Sequence, residues 1–196
     1  MSSKKHNHKH DHFEMIRENF AHGMHANISI VRRESDKQLV IWKRPIADKP
    51  THHEAIRKEI KFAKYWKKFR VSKVEVYWHP DKQSLLKTYI EGKTLRQILD
   101  EDQEFFSKIE SKPIKALAKF IKRLIDSEHY INNLSCENLV FDGNRWHVID
   151  SSEIKEISDS KIKQKYKRNL LEIWSRGLRS DDKKHDLQLL LEKYCH

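Results

Sequence analysis

The sequence predicts an α+β fold in which antiparallel strands come first and helices follow. Three observations carry this. Residues 13–44 fall into three strand-like runs, F-E-M-I-R-E-N-F, N-I-S-I-V-R-R and Q-L-V-I-W-K-R, separated by turn residues at His22-Gly23 and at Glu34 to Lys37. Two later stretches, 53–69 and 113–130, place apolar residues every three or four positions, which is the helical period. Beyond the second of these, L-V-F and W-H-V-I flank Asp142-Gly143, and an Asp-Gly pair between apolar runs is a strong local signal for a hairpin.

At 196 residues the chain is long enough for one sizeable core or for two small lobes. Charged residues make up 35% and hydrophobic residues 37%, a polar balance, yet the apolar residues are gathered in periodic runs and the chain reads as folded. No run of about 18 apolar residues is present, which excludes a membrane-spanning helix. The His- and Lys-rich start carries no apolar core of a signal peptide, so the expected location is the cytoplasm, with export as an effector left open. The two cysteines, Cys136 and Cys195, have no framework spacing, which fits a reducing compartment. Lys and Arg outnumber Asp and Glu by 40 to 29, a formal charge of +11, and such a surplus favours polyanions: nucleic acid, anionic head groups, phosphorylated glycans or a nucleotide.

Taken in order, residues 1–12 form a low-complexity tail whose histidines are expected to bind metal weakly. The third strand-like run carries Lys43 in V-I-W-K. Thr51 is placed as an N-cap with Glu54 completing a capping box, and Ile56, Ile60, Ala63, Trp66 and Phe69 mark one face of the helix that follows. K-V-E-V-Y-W-H, from Lys73 to His79, alternates as a strand, H-P-D-K turns, and S-L-L-K-T-Y-I-E-G-K-T-L leads to a short helix capped by Thr94. The second long helix presents Ile114, Leu117, Phe120, Ile121, Leu124 and Ile125 and runs towards Asn133. Past Ser152, two helices are expected, one within Ile162–Trp174 and one from His185, with a break from Gly177 to Asp182.

The rest of the chain is organised around Ile131 to Ser152, I-N-N-L-S-C-E-N-L-V-F-D-G-N-R-W-H-V-I-D-S-S. Asn138 precedes the hairpin and Asp150 follows it, and a hairpin returns its end beside its beginning. An amide oxygen and a carboxylate would therefore meet, as the handling of a divalent cation and a phosphoryl group requires. This stretch resembles the catalytic and metal-binding loops of the protein-kinase-like superfamily, written H-R-D-L-x-x-x-N, a hairpin, then D-F-G. Ile131, Asn132 and Asn133 stand at the H-R-D positions, Leu134 at the Leu, Asn138 at the metal-binding Asn, and Asp150-Ser151-Ser152 at D-F-G. V-I-W-K is similar to V-A-I-K, R-K-E-I-K-F-A-K-Y-W to the αC helix, and L-L-K-T-Y-I-E-G-K-T-L to the hinge.

The resemblance, which covers about residues 13–152, implies a two-lobed fold: an antiparallel-sheet N-lobe with its αC helix over 13–90 and a reduced, mostly helical C-lobe over 91–196. It implies ATP and Mg2+ as cofactors. Lys43, oriented by Glu59, would hold the α- and β-phosphates, with Glu54 the rival acid. The turn from Gly23 to Asn27, including His25 and Ala26, would cover the phosphates; Thr88, Tyr89 and Ile90 would meet the adenine; Asn138 and Asp150 would hold magnesium. With 44 residues left after Ser152, no A-P-E signature and no long activation segment, the chain is similar to the small bacterial members, the lipopolysaccharide-core sugar kinases and compact kinase-like effectors.

Three departures stand out. One glycine, Gly23, occupies the phosphate turn where the family has three; Lys87 takes the usually apolar gatekeeper position; and Asn133 takes the catalytic Asp position, where a neutral amide cannot accept a proton from a substrate hydroxyl. The expected activity is therefore transfer of the γ-phosphate to a hydroxyl acceptor, on protein or on glycan such as lipopolysaccharide, with turnover impaired at residue 133. Asn133 fits a pseudokinase acting as a nucleotide-gated binding module, an enzyme in which Glu137 or Asp126 substitutes as base, or a chain inactivated by an Asp-to-Asn exchange. From a different class comes a basic nucleic-acid-binding protein built on Tyr65-Trp66-Lys67-Lys68 and Trp174, disfavoured because these aromatics sit at core spacing. A membrane-surface role for a lysine-rich Lys155–Arg168 helix is compatible with a lipid or lipopolysaccharide acceptor.

Overall fold

The computed structural model describes residues 12–22, 25–102, 104–108, 110–126, 128–132, 134–150, 153–156, 160–175 and 181–194. It is mixed α+β and divides into two compact units, residues 1–61 with 75–89, and residues 62–74 with 90–196.

In the first unit, strands β1 (Phe13–His22), β2 (Ala26–Arg33) and β3 (Leu39–Pro45) form the expected meander. Helix α1 (Pro50–Lys68) begins in this unit, and β4 (Val76–Trp78) and β5 (Leu85–Thr88) complete an antiparallel sheet of order β1-β2-β3-β5-β4. Directly opposed residues share a face. Ile30, Ile41, Lys87 and Val76 make one such row and Ile28, Lys43, Leu85 and Trp78 the next. On this side Ala26 and Leu85 pack with Ile56 of α1, flanked by Ile60 and Val76. On the other side Val31, Val40 and Leu86 pack with Phe13, Trp42 and Tyr77.

The start of α1 differs from the expected capping box. The Lys49 carbonyl accepts from the amides of His52 and His53, at 3.0 and 3.2 Å, so Pro50 opens the helix and Thr51 lies inside it. Proline's fixed φ and missing N–H suit a first helical position, and that preference outweighs the Thr-x-x-Glu pattern. Glu54 instead lies 3.9 Å from Lys58, one turn on.

The second unit takes up the chain at Phe62. Here the Val148 amide donates to the Val71 carbonyl, the Ser72 hydroxyl to the Val148 carbonyl at 2.8 Å, and the Lys73 amide to His147 Nδ1 at 3.2 Å. Those bonds tie residues 71–73 to the hairpin, which is why the strand expected from Lys73 begins only at Val76. Strands β6 (Lys93–Thr94), β8 (Leu139–Phe141) and β9 (Trp146–Val148) form one small sheet, and β7 (His129–Asn132) pairs antiparallel with β10 (Glu153–Glu156) in another. Gly92 makes the first possible: its φ is +153°, and a Cβ there would lie 2.2 Å from the Phe141 carbonyl oxygen.

Helix α2 (Leu95–Glu101) carries the Thr94 cap as a full capping box with Gln97. Helix α3 (Lys112–Asp126) stops short of the expected stretch to Tyr130, because Glu128 turns to a φ of +56° and His129–Asn132 join β10. The same pairing removes Lys155 from the helix expected over 155–168: it opposes Tyr130, and α4 spans Ser160–Ser175. Helix α5 (Asp181–Tyr194) packs on α3, on α4 and on a 3-10 turn at Phe105–Ser107. Leu95, Leu99, Phe106, Ile114, Leu117, Ile121, Leu187 and Leu190 are buried in this unit.

Candidate functional site

The chemically distinctive feature of the first unit is a carboxylate shared by two lysines. Along α1 the buried stripe runs Ile56, Glu59, Ala63, three to four residues apart, so helical periodicity aims Glu59 at the same sheet face as its apolar neighbours. That face carries Lys43 from β3 and Lys87 from β5. Lys43 Nζ donates to Glu59 Oε2 at 2.5 Å and Lys87 Nζ donates to Oε1 at 2.8 Å. Glu59 is 2% exposed and Lys87 5%. Charges removed from water this far are tolerated only with close, hydrogen-bonded partners. The carboxylate on Lys43 is thus Glu59 and not Glu54, and Lys87 is part of the same cluster. The sequence carries one signal for this, a lysine inside the otherwise apolar run L-L-K-T.

Of the residues expected around a nucleotide, Gly23 lies outside the described residues. His25 follows, its carbonyl accepting from the Ile46 amide at 3.2 Å, its ring 5.4 Å from that of His52, and its Nδ1 buried with no hydrogen-bond partner among the described residues. Ala26 is buried in the core with Ile56 and Leu85. In the segment expected to meet an adenine, the Thr88 amide donates to the Glu75 carbonyl at 3.0 Å and the Tyr89 amide to the Leu39 carbonyl at 3.3 Å. Those two N–H groups are committed to the backbone.

In the second unit the loop from Ser135 and the end of β9 meet as the hairpin requires. Asn138 closes a short 3-10 turn, Cys136–Asn138, its amide donating to the Ser135 carbonyl at 3.0 Å. Its carbonyl accepts from the amide of Ile149, also at 3.0 Å. The residue after Ile149 is Asp150, so the two expected metal ligands stand on adjacent strands of backbone, both half-buried. An amide oxygen and a carboxylate are hard donors, and magnesium takes only one or two protein oxygens beside phosphate and water, so the pair fits that ion. Among the described residues no three His, Cys, Asp or Glu side chains cluster as a metal site.

Asn133 lies outside the described residues. Its neighbour Leu134 is fully buried, and the Leu134 carbonyl accepts from the Trp174 indole at 2.9 Å, so α4 anchors the loop from behind. Burial pushes the Cys136 thiol up to about 12, which makes it inert at neutral pH. Neither substitute base is well disposed. Burial raises the Glu137 carboxyl, but its own amide, Arg96 and Ser135 outweigh that and hold it below the usual range, with Arg96 Nε at 3.1 Å. Asp126 is exposed and paired to Lys122 one helical turn away at 2.9 Å.

No protein-family model matches the chain, and no curated protein matches it. The geometry stands alone.

Two other surfaces bear on function. Trp66 and Trp174 are both fully buried, so neither offers a ring to a nucleic acid; Tyr65 is half-buried with the Lys64 and Lys68 ammoniums 5.2 and 6.0 Å from its ring centre. Among the described residues no helix is long and apolar enough to cross a membrane.

Proposed function

We propose that the chain is a nucleotide-binding phosphotransferase of the protein-kinase type whose turnover is slowed at residue 133. The observation that carries the reading is the largely buried Lys43–Glu59 ion pair: a strand lysine fixed by a helix carboxylate 16 residues away, with the lysine's ammonium 2.5 Å from that acid. In this reading Lys43 neutralises the α- and β-phosphates and Glu59 fixes its direction. Asn138 and Asp150 supply the oxygens that hold magnesium, which when bound neutralises charge on the transferred group. Phosphoryl transfer asks a protein mainly for positioning and charge, and these residues provide both. What the chain lacks is an acceptor for the hydroxyl proton at position 133, a loss that costs about 10²- to 10⁴-fold in rate. The acceptor is a hydroxyl on a protein or a glycan.

A second reading is favoured by one observation. Glu137, the nearest acid able to stand in as base, is held by Arg96 and kept weakly basic. A chain that binds nucleotide without turnover is a nucleotide-gated binding module.

The experiment is magnesium-dependent ATP binding and turnover on this chain and on Asn133→Asp side by side. Binding by both, with hydrolysis or autophosphorylation in Asn133→Asp alone, is the expected result. Binding without turnover in either selects the module. Absence of binding in both overturns the roles given to Lys43, Asn138 and Asp150.

A further inference from the structure

We infer that Lys87 is a positioning residue that holds Glu59 in place so that Lys43 can leave it for a bound anion. The inference rests on the reading that Lys43 meets phosphate.

Lys87 is buried on a sheet face that it shares with Lys43 and with the apolar Ile30, Ile41, Leu85 and Val76. An ammonium there is costly where methionine or isoleucine would not be, so its presence asks for a role beyond packing. Its contact supplies one. The two oxygens of Glu59 are divided, Oε1 to Lys87 and Oε2 to Lys43. With a single lysine on a buried carboxylate, moving that lysine to a phosphate would strand the carboxylate charge out of water, and the ligand would have to offset the penalty. With Lys87 fixed on Oε1, Glu59 keeps a counter-charge throughout. Lys43 is then held by half of a carboxylate rather than by all of it, and a second positive charge stands close to any anion that Lys43 receives. The strand register enforces this division: Lys43 and Lys87 stand in adjacent rows on one face, close enough for one side chain of α1 to reach both.

The test uses the full chain with Lys87→Met, which keeps the volume, and Lys87→Arg, which keeps the charge. The first readout needs no nucleotide: the rate at which the Lys43 amine is acetylated by a small reactive ester, read by peptide mass spectrometry against exposed Lys58. Lys87→Met is expected to slow Lys43 several-fold, because both oxygens of Glu59 then bear on it, and Lys87→Arg to leave the rate near the unmutated value. The second readout is the Kd for magnesium ATP by titration calorimetry, expected to weaken on the order of tenfold in Lys87→Met, with rescue by arginine. Should Lys87→Met not fold, Lys87→Gln, which keeps a donor for Oε1 but no charge, is read the same way. If the unmutated chain binds no ATP, the proposed function falls and acetylation alone decides the role of Lys87. An unchanged Lys43 rate in the uncharged variant overturns the inference, as does an equal loss of affinity in Lys87→Arg.

Discussion

His147 donates its Nε2 proton to Asp142 Oδ2 across 2.9 Å, and the tautomer is fixed from the other side of the ring, where Nδ1 accepts the Lys73 amide at 3.2 Å. The imidazole is fully buried, and that burial holds it below its ordinary value although Asp142 pulls the other way. Asp142 gains by the same arrangement. Burial raises its carboxyl, but the Lys73 ammonium at 2.6 Å, the Arg145 and Asn144 amides and His147 together hold it well below the usual carboxylate range. This is the fastening of the β8–β9 turn to the segment that follows α1.

Both shifts act in one direction. A folded-state value below the unfolded one means that the unfolded chain binds protons first, so stability is present above the unfolded value and is lost as pH falls. The loss attributable to His147 begins below about pH 6.5 and that of Asp142 below about pH 4. Urea unfolding between pH 8 and pH 3 on the unmutated chain and on His147→Asn should show a steeper decline for the unmutated chain between pH 7 and pH 5. Equal slopes there would remove His147 from the account.

Glu59→Gln is expected to be among the more damaging single changes in the first unit. It removes the carboxylate from two ammoniums that are nearly buried, and breaking a buried ion pair costs about 3–5 kcal/mol. The urea midpoint measures it; a loss under about 1 kcal/mol, the range of an exposed pair, would show that the cluster is solvated in solution.

Gly92→Ala should destabilise the β6–β8 pairing. The methyl would collide with the Phe141 carbonyl at 2.2 Å, and backbone cannot move aside as a flexible side chain can. Strain of this kind costs about 1–3 kcal/mol per site. Thermal unfolding checks it, with Gly143→Ala as a partner: that turn glycine has a φ of +86° but open space around its Cα, so only conformational strain is added.

Trp174→Phe keeps most of the packing and removes one hydrogen bond, the indole N–H to the Leu134 carbonyl. A buried carbonyl left without its donor costs about 1–3 kcal/mol. Hydrogen exchange should quicken locally at residues 134–138; exchange that rises evenly across the unit would mean that Trp174 supports the core rather than the loop.

Much of this was legible in the residues. The meander from Phe13 to Pro45, the Thr94 cap, the Asp142-Gly143 hairpin and both C-terminal helices follow from local pattern, because each is decided by neighbours within a few positions. The errors lie where a distant partner overrides such a pattern. Lys73 alternates like a strand residue but its amide goes to His147, 74 residues on; His129 to Asn132 continue a helical pattern but pair with β10.

The sequence by itself determined the early meander, the main helices and the hairpin, the presence of Lys43, Asn138 and Asp150 around them, and the neutral side chain at 133. Only the tertiary structure decided the electrostatics. That Glu59 is shared, that Lys87 is buried with it, and that Glu137 is bound to Arg96 depend on strand register and helix facing, which bring together charges 28 and 41 residues apart. Local pattern specifies which side chains a segment buries. It carries no information on which buried charge will face which, and in a medium of low dielectric that pairing sets what each group can do.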